Sequence, residues 1–163
     1  MSGNLSERQH AVNQVRTPAG EAVSRLAVLV FRLEGALRAA GDALARPAGQ
    51  TSARWRVLAA VESTPMSVAQ IARAWSLARQ SVQRVADELE RDGLIRYEEN
   101  PDHRRAKLVR LTPTGAAALT RIQDAQRAWA NELGSQVDAG DVALAGEILG
   151  RILDAPALGR EPD

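Results

Sequence analysis

Apolar residues fall into a few periodic segments, and each period predicts an element. From Val23 the series Leu26, Val30, Leu33, Leu37, Ala40 and Leu44 alternates spacings of three and four. That is the seam of a long helix able to pack against another. Thr17 can cap this helix and Pro18 suits its first position, so it is expected from Thr17 to about Arg46. Val28 and Phe31 add apolar surface off the seam. So small a domain can hardly cover such a two-sided helix alone, and a partner helix is expected. Pro47, Gly49 and Gln50 break the pattern. A second helix, capped by Thr51 or Ser52, carries Trp55, Leu58 and Ala59 and extends towards Glu62 before Ser63-Thr64-Pro65 stops it.

Ser67-Val68-Ala69-Gln70 fits a capping box, with Met66 and Ile71 placed as a hydrophobic staple. A short helix is therefore expected from Val68 to about Trp75. Ser76-Leu77-Ala78 turns the chain into a further helix, Arg79 to Asp92, whose apolar positions Val82, Val85, Ala86 and Leu89 form one buried stripe. Gly93 ends it. The period then changes to that of strands, Leu94–Glu98 and Lys107–Leu111, joined by Asn-Pro-Asp and two adjacent arginines. Thr112 and Pro113 start a helix through Leu119, Ile122, Gln126, Trp129 and Leu133 to Gly134. Asp138 caps a last helix holding Val142, Leu144, Ala145, Ile148, Leu149 and Ile152.

Composition narrows the chemistry. The 163 residues are 45% hydrophobic and only 3% aromatic, so the core must be built from small aliphatic side chains. No cysteine is present, which removes disulfides, thiolate metal sites and cysteine nucleophiles. His10 and His103 are too far apart for a helical metal pair, and no metal or other cofactor is expected. The longest apolar run, Leu26 to Phe31, is far short of the roughly 18 residues of a membrane span. The first residues are polar, without the apolar stretch of a signal peptide, so a cytoplasmic protein is expected.

The net charge of +1 hides an uneven distribution: +3 over residues 1–65, +2 over 66–111 and −4 over 112–163. From Ser67 through Ala86 there is no acid, while Arg73, Arg79 and Arg84 are present; Asp87, Glu88, Glu90 and Asp92 follow at once. A segment free of acids at one end can press that end against phosphates.

Two short helices joined by a tight turn, followed by a basic hairpin, make a helix-turn-helix with a wing. An α-helix fits the major groove, and its N-terminal residues reach base edges. With the apolar stripe inward, the opposite face at about 100° per residue holds Gln80, Arg84, Asp87 and Arg91, with Gln83 on the flank. Glutamine suits adenine and arginine suits guanine. Arg104 and Arg105 at the loop tip, with Lys107 behind, suit a narrow minor groove or phosphate. The candidate DNA contacts are Ser67, Arg79, Gln80, Ser81, Gln83, Arg84, Arg104, Arg105 and Lys107.

The order of elements resembles the MarR family of bacterial transcription regulators. The matching segments are Trp55-Arg56-Val57-Leu58, Ser67-Val68-Ala69-Gln70-Ile71-Ala72, Gln80-Ser81-Val82-Gln83-Arg84, Leu89-Glu90-Arg91-Asp92-Gly93-Leu94-Ile95 and, most specific, Asp102-His103-Arg104-Arg105-Ala106-Lys107-Leu108-Val109-Arg110-Leu111-Thr112-Pro113-Thr114-Gly115. The resemblance runs from about Gly20 to Leu153. The sequence departs from it at His103, where many members carry a second acid, and at Ala78, where a serine often caps the recognition helix.

The resemblance implies a mainly α fold (an α+β winged helix), with a winged helix-turn-helix lobe between long N- and C-terminal dimerisation helices. It places a flexible segment at 1–16, a dimerisation helix at 17–47, the DNA-binding lobe at 48–112, C-terminal dimerisation helices at 113–155 and a tail at 156–163. It further implies a homodimer, held through Val23, Leu26, Val30, Leu33, Leu37, Leu133, Ile148 and Ile152. That dimer would act as a repressor on a pseudo-palindromic operator of double-stranded DNA. Release by a small lipophilic or aromatic effector is also implied, with Phe31 and Trp55 near the cleft; absence of cysteine excludes release by cysteine oxidation. The competing reading is a winged-helix protein-interaction module that never touches DNA. It accounts for the fold and the seam, but not for an acid-free helix beside a wing crowded with arginine. An enzyme is not expected, since no Gly-rich phosphate loop, metal spacing or G-x-S-x-G is present.

Overall fold

A computed structural model describes residues 16–101 and 106–158. The chain divides at Gly41/Asp42 into two compact units. The first unit is helical: α1 spans Pro18–Ala45, and its last turn belongs to the second unit. Thr17 caps α1 as the sequence predicts, its Oγ1 accepting from the Gly20 amide at 3.0 Å. Within this unit the seam residues Val23, Val30, Leu33 and Leu37 are exposed, and Leu26 is half-buried.

The second unit holds the core. A 3-10 turn, Arg46–Ala48, ends on Gly49 in the left-handed region at φ 71°, where glycine carries no Cβ penalty. Helix α2 (Ser52–Ala60) is capped by Thr51 rather than Ser52. It stops two residues before Glu62, which is exposed. Its buried residues are Ser52, Val57 and Leu58; the sequence pattern missed Val57. The capping box forms as expected at the start of α3 (Val68–Ala74): the Ser67 amide donates to Gln70 Oε1 at 2.7 Å, and the Gln70 amide donates to Ser67 Oγ at 3.4 Å. After the turn, with Ser76 at φ 50°, helix α4 (Arg79–Arg91) buries Val82, Val85, Ala86 and Leu89, the predicted stripe.

Strands β2 (Ile95–Glu98) and β3 (Leu108–Leu111) form the antiparallel hairpin, one residue shorter at Leu94 and at Lys107 than expected. A third strand, β1 (Met66–Ser67), pairs with β3 and completes a sheet ordered β1-β3-β2. Its two residues were read from sequence only as a staple and a cap. Helix α5 (Pro113–Gly134) starts at Thr112, which ties three elements together. Its Oγ1 donates to the Gly93 carbonyl at 2.7 Å and accepts from the Gly115 amide at 3.1 Å, and its amide donates to the Leu94 carbonyl at 3.1 Å. Helix α6 (Ala139–Leu153) is capped by Asp138, and Pro156–Leu158 form a last 3-10 turn. Only the N-terminal half of α5 is buried, through Gly115, Ala118, Leu119 and Ile122; α6 buries none of its residues.

The hairpin sets Arg96 directly opposite Arg110. Like charges in cross-strand positions repel, and Glu98 offsets this by accepting from Arg96 Nε at 2.9 Å and from Arg110 Nε at 2.6 Å. Hydrogen bonds from Arg110 and then Arg96 hold the Glu98 carboxyl below its ordinary range.

Two predictions follow from this packing. A Cβ on Gly115 would lie 1.9 Å from the Leu94 carbonyl oxygen, a backbone atom that cannot swing aside. Gly115→Ala is therefore expected to destabilise the fold by about 2–3 kcal/mol in urea denaturation; an unchanged midpoint would contradict this contact. Because Glu98 titrates lower folded than unfolded, its stabilisation is complete above the ordinary carboxylate range and is lost as pH falls through the lowered value. The melting-temperature gap between wild type and Glu98→Gln should then close on acidification from neutral pH, whereas a constant gap would show that the two arginines do not hold the carboxylate.

Candidate nucleic-acid interface

The stripe that seats α4 against α2, α3 and β2 fixes which of its side chains point away. Arg79, Gln80, Ser81, Gln83, Arg84, Asp87 and Arg91 are all exposed. Gln80, Gln83, Arg84, Asp87 and Arg91 line one shallow groove along the outer face, about 390 Å³ in volume. A second groove of about 420 Å³ runs beside it, between the start of α3, the start of α4 and the wing. Its polar lining is Ser67, Arg79, Gln83, Glu90, Tyr97 and Lys107. Most of the sequence-selected residues therefore converge on two adjoining grooves, with Gln83 common to both. Ser67 itself is buried, its hydroxyl donating to Gln70 Oε1 at 2.9 Å within the capping box. Lys107 is exposed just ahead of β3. Arg104 and Arg105, and His103 beside them, lie outside the described residues.

The acid-free stretch from Ser67 to Ala86 covers α3, the turn and the first two turns of α4, so the helix start carries arginine without local opposition. Of the acids that follow, Glu88 and Asp92 are ion-paired, while Glu90 is exposed and lines the second groove. Glu88 pairs with Arg84 at 2.9 Å, one helical turn away, and Asp92 pairs with Arg54 of α2 at 2.5 Å. The Arg84–Glu88 pair is exposed, and such pairs contribute about 0.3–0.5 kcal/mol, so Arg84 can leave Glu88 for a stronger acceptor at little cost. Ala78, at the N-cap of α4, makes no side-chain cap bond, as its side chain dictates.

Asp87 does something the sequence did not suggest. Its Oδ1 accepts from Gln83 Nε2 at 2.7 Å and from the Tyr97 hydroxyl at 2.9 Å, while Gln83 Nε2 also donates to the Tyr97 oxygen at 2.8 Å. The three side chains close a triangle between α4 and β2. Burial and the neighbouring Asp87 carboxylate push the Tyr97 phenol far above its ordinary value, so it stays protonated. The i, i+4 spacing of Gln83 and Asp87 was visible in the sequence; the partner from β2 was not.

Of the two aromatic residues singled out for an effector, Trp55 is half-buried against the core of the second unit. Phe31, in the first unit, is 77% exposed. Among the described residues no group of three or more histidines or acids could hold a metal ion. No helix among them is long and apolar enough to cross a membrane.

Comparison with known proteins agrees with this arrangement. Residues 48–106, from the 3-10 turn before α2 to the residues just ahead of β3, match the model of the MarR family. The chain is 37% identical over 133 residues to an uncharacterised protein of Mycobacterium tuberculosis, spanning 82% of this chain and 93% of that one. Its fold is similar to the crystal structure of a MarR family transcription regulator, with a TM-score of 0.73 and 23% identity over 87% of this chain and 95% of that one. It is also similar to the Mycobacterium tuberculosis transcriptional regulator MosR in complex with DNA, with a TM-score of 0.65 and 26% identity over 78% of this chain and 95% of that one. The chain belongs to the MarR family of winged-helix, DNA-binding transcription regulators.

Proposed function

We propose that the protein is a cytoplasmic homodimer that represses transcription by binding a pseudo-palindromic operator. The observation that carries this reading is the outer face of α4, where Gln80, Gln83 and Arg84 stand exposed at an acid-free helix start beside a basic wing. In this reading these three side chains read base edges in the major groove, while Arg79 and Ser81 contact the DNA backbone and position the helix. Ser67, buried in its capping box, holds the start of α3 instead. Lys107, with Arg104 and Arg105 ahead of it, acts through charge on phosphate or in the minor groove.

The proposed dimer is supported by exposed apolar side chains in each unit. Leu33 is 51% exposed, Leu133 45% and Val142 55%, and Val23, Val30, Leu37 and Ile148 are exposed too. Exposed patches of this extent mark interaction surfaces. The same residues, with Leu26 and Ile152, are proposed to meet their copies in the partner. Two recognition helices would then sit about 34–36 Å apart, one turn of duplex. Release by a small lipophilic or aromatic effector contacting Phe31 and Trp55 completes the proposal.

Light scattering at micromolar concentration should give the mass of two chains. Leu37→Asp, which buries an unpaired charge in the proposed interface, should shift the protein towards one chain. A wild-type mass near one chain contradicts the dimer.

Division of labour between helix and wing gives a second test. Arg84→Ala should lose about 1–3 kcal/mol of operator affinity and blur one position per half-site. Lys107→Ala should weaken operator and random DNA by similar factors and flatten the salt slope by about two units per dimer. Equal weakening of all duplexes by Arg84→Ala, or an unchanged slope for Lys107→Ala, would show these roles to be wrong.

A further inference from the structure

The triangle of Gln83, Asp87 and Tyr97 restricts what Gln83 can offer to a base. A carboxylate only accepts hydrogen bonds, so the Gln83 amide must turn its nitrogen, not its oxygen, towards Asp87 Oδ1 at 2.7 Å. The same nitrogen donates to the Tyr97 oxygen at 2.8 Å, which uses the second N–H. The single proton of Tyr97 is in turn given to Asp87 at 2.9 Å. Every donor in the triangle is thus spent inside it. Gln83 Oε1 and Asp87 Oδ2 are the polar atoms left to meet a ligand, and both are acceptors. A glutamine that reads adenine in the usual bidentate way needs a free N–H for N7 as well as its oxygen for N6; here that N–H is held.

We propose that Tyr97 and Asp87, by holding both amide N–H groups of Gln83, make Gln83 an acceptor-only reader that selects a base bearing an exocyclic amine, adenine or cytosine. Tyr97, from the wing, is thereby a positioning residue for operator sequence without touching DNA. Guanine and thymine present O6 and O4 at the corresponding major-groove edge, and oxygen against oxygen repels. This inference rests on the reading of α4 as the base-contacting helix.

The test is selection of bound duplexes from a random pool by the full-length protein and its variants. Gln83→Ala identifies the position: the symmetric pair of half-site bases whose preference it abolishes. At that pair the wild type should favour adenine or cytosine over guanine and thymine by about tenfold. Tyr97→Phe frees one N–H of Gln83, so the preference there should fall to within about twofold, with the Arg84-dependent position unchanged. Asp87→Ala frees the other N–H and should have the same effect on that pair, while raising affinity for all duplexes because a negative charge leaves the interface. A wild-type preference for guanine or thymine at that pair overturns the inference, as does an undiminished amine preference in both Tyr97→Phe and Asp87→Ala. If Gln83→Ala changes no position, the assignment of Gln83 as a base reader fails and the inference falls with it.

Discussion

Burial of Val82, Val85, Ala86 and Leu89 is the interaction on which the rest depends, because it fixes the rotation of α4 about its own axis. Full burial of a Val or Leu side chain contributes about 1.5–3 kcal/mol, so turning the helix by one residue would forfeit several kcal/mol. The stripe packs against Ile71 and Ala72 of α3 and Val57 and Leu58 of α2, in a core closed by Val109 of the sheet. Once that seat is set, Gln80, Gln83 and Arg84 have no direction to point but outward. The proposed DNA face is therefore set by apolar residues on the opposite side of the helix.

Electrostatics refine what the seat provides. The acids of α4 stand behind its first two turns, and Glu88 and Asp92 are held by arginines. Arg79 and Arg84 thus stand exposed on the front of the helix, with Glu88 one turn behind Arg84 as its ion-pair partner. The sheet fixes the wing against this helix in the same economical way. Thr112 bonds to the end of α4's exit turn and to the start of α5, and Glu98 holds two opposed arginines in register. The side of β2 that carries Tyr97 then faces Gln83 and Asp87, which joins helix and wing through side chains as well as backbone.

Much of this was legible from the chain alone. The capping box at Ser67 and Gln70, the α4 stripe and the Thr112-Pro113 start are all encoded within a few residues of one another, where local physics decides. What escaped depends on residues distant in sequence. β1 is only Met66 and Ser67, too short to show a period, and it exists because β3 lies alongside. Gly115 has no turn to make; its need for a bare α-carbon comes from the Leu94 carbonyl pressed against it. Val57 was passed over because α2 is too short for its buried face to stand out. At the interface, exposure of Gln80 and Arg84 was readable from helical spacing, whereas the role of Tyr97 required knowing which side of β2 faces α4.

The seam residues of α1 and the rows of α5 and α6 each carry exposed apolar side chains, and the proposed dimer gives both a partner surface. In the proposed dimer two identical copies of α4 would meet the duplex, and the DNA would record their spacing directly. The measurement that tests this most simply is a hydroxyl-radical footprint of the wild-type protein on the DNA upstream of its own gene. Two protected patches, related by two-fold symmetry and centred about 10–10.5 base pairs apart, are predicted. A single unsymmetrical patch, or no protection at concentrations where the protein is folded, would contradict the account.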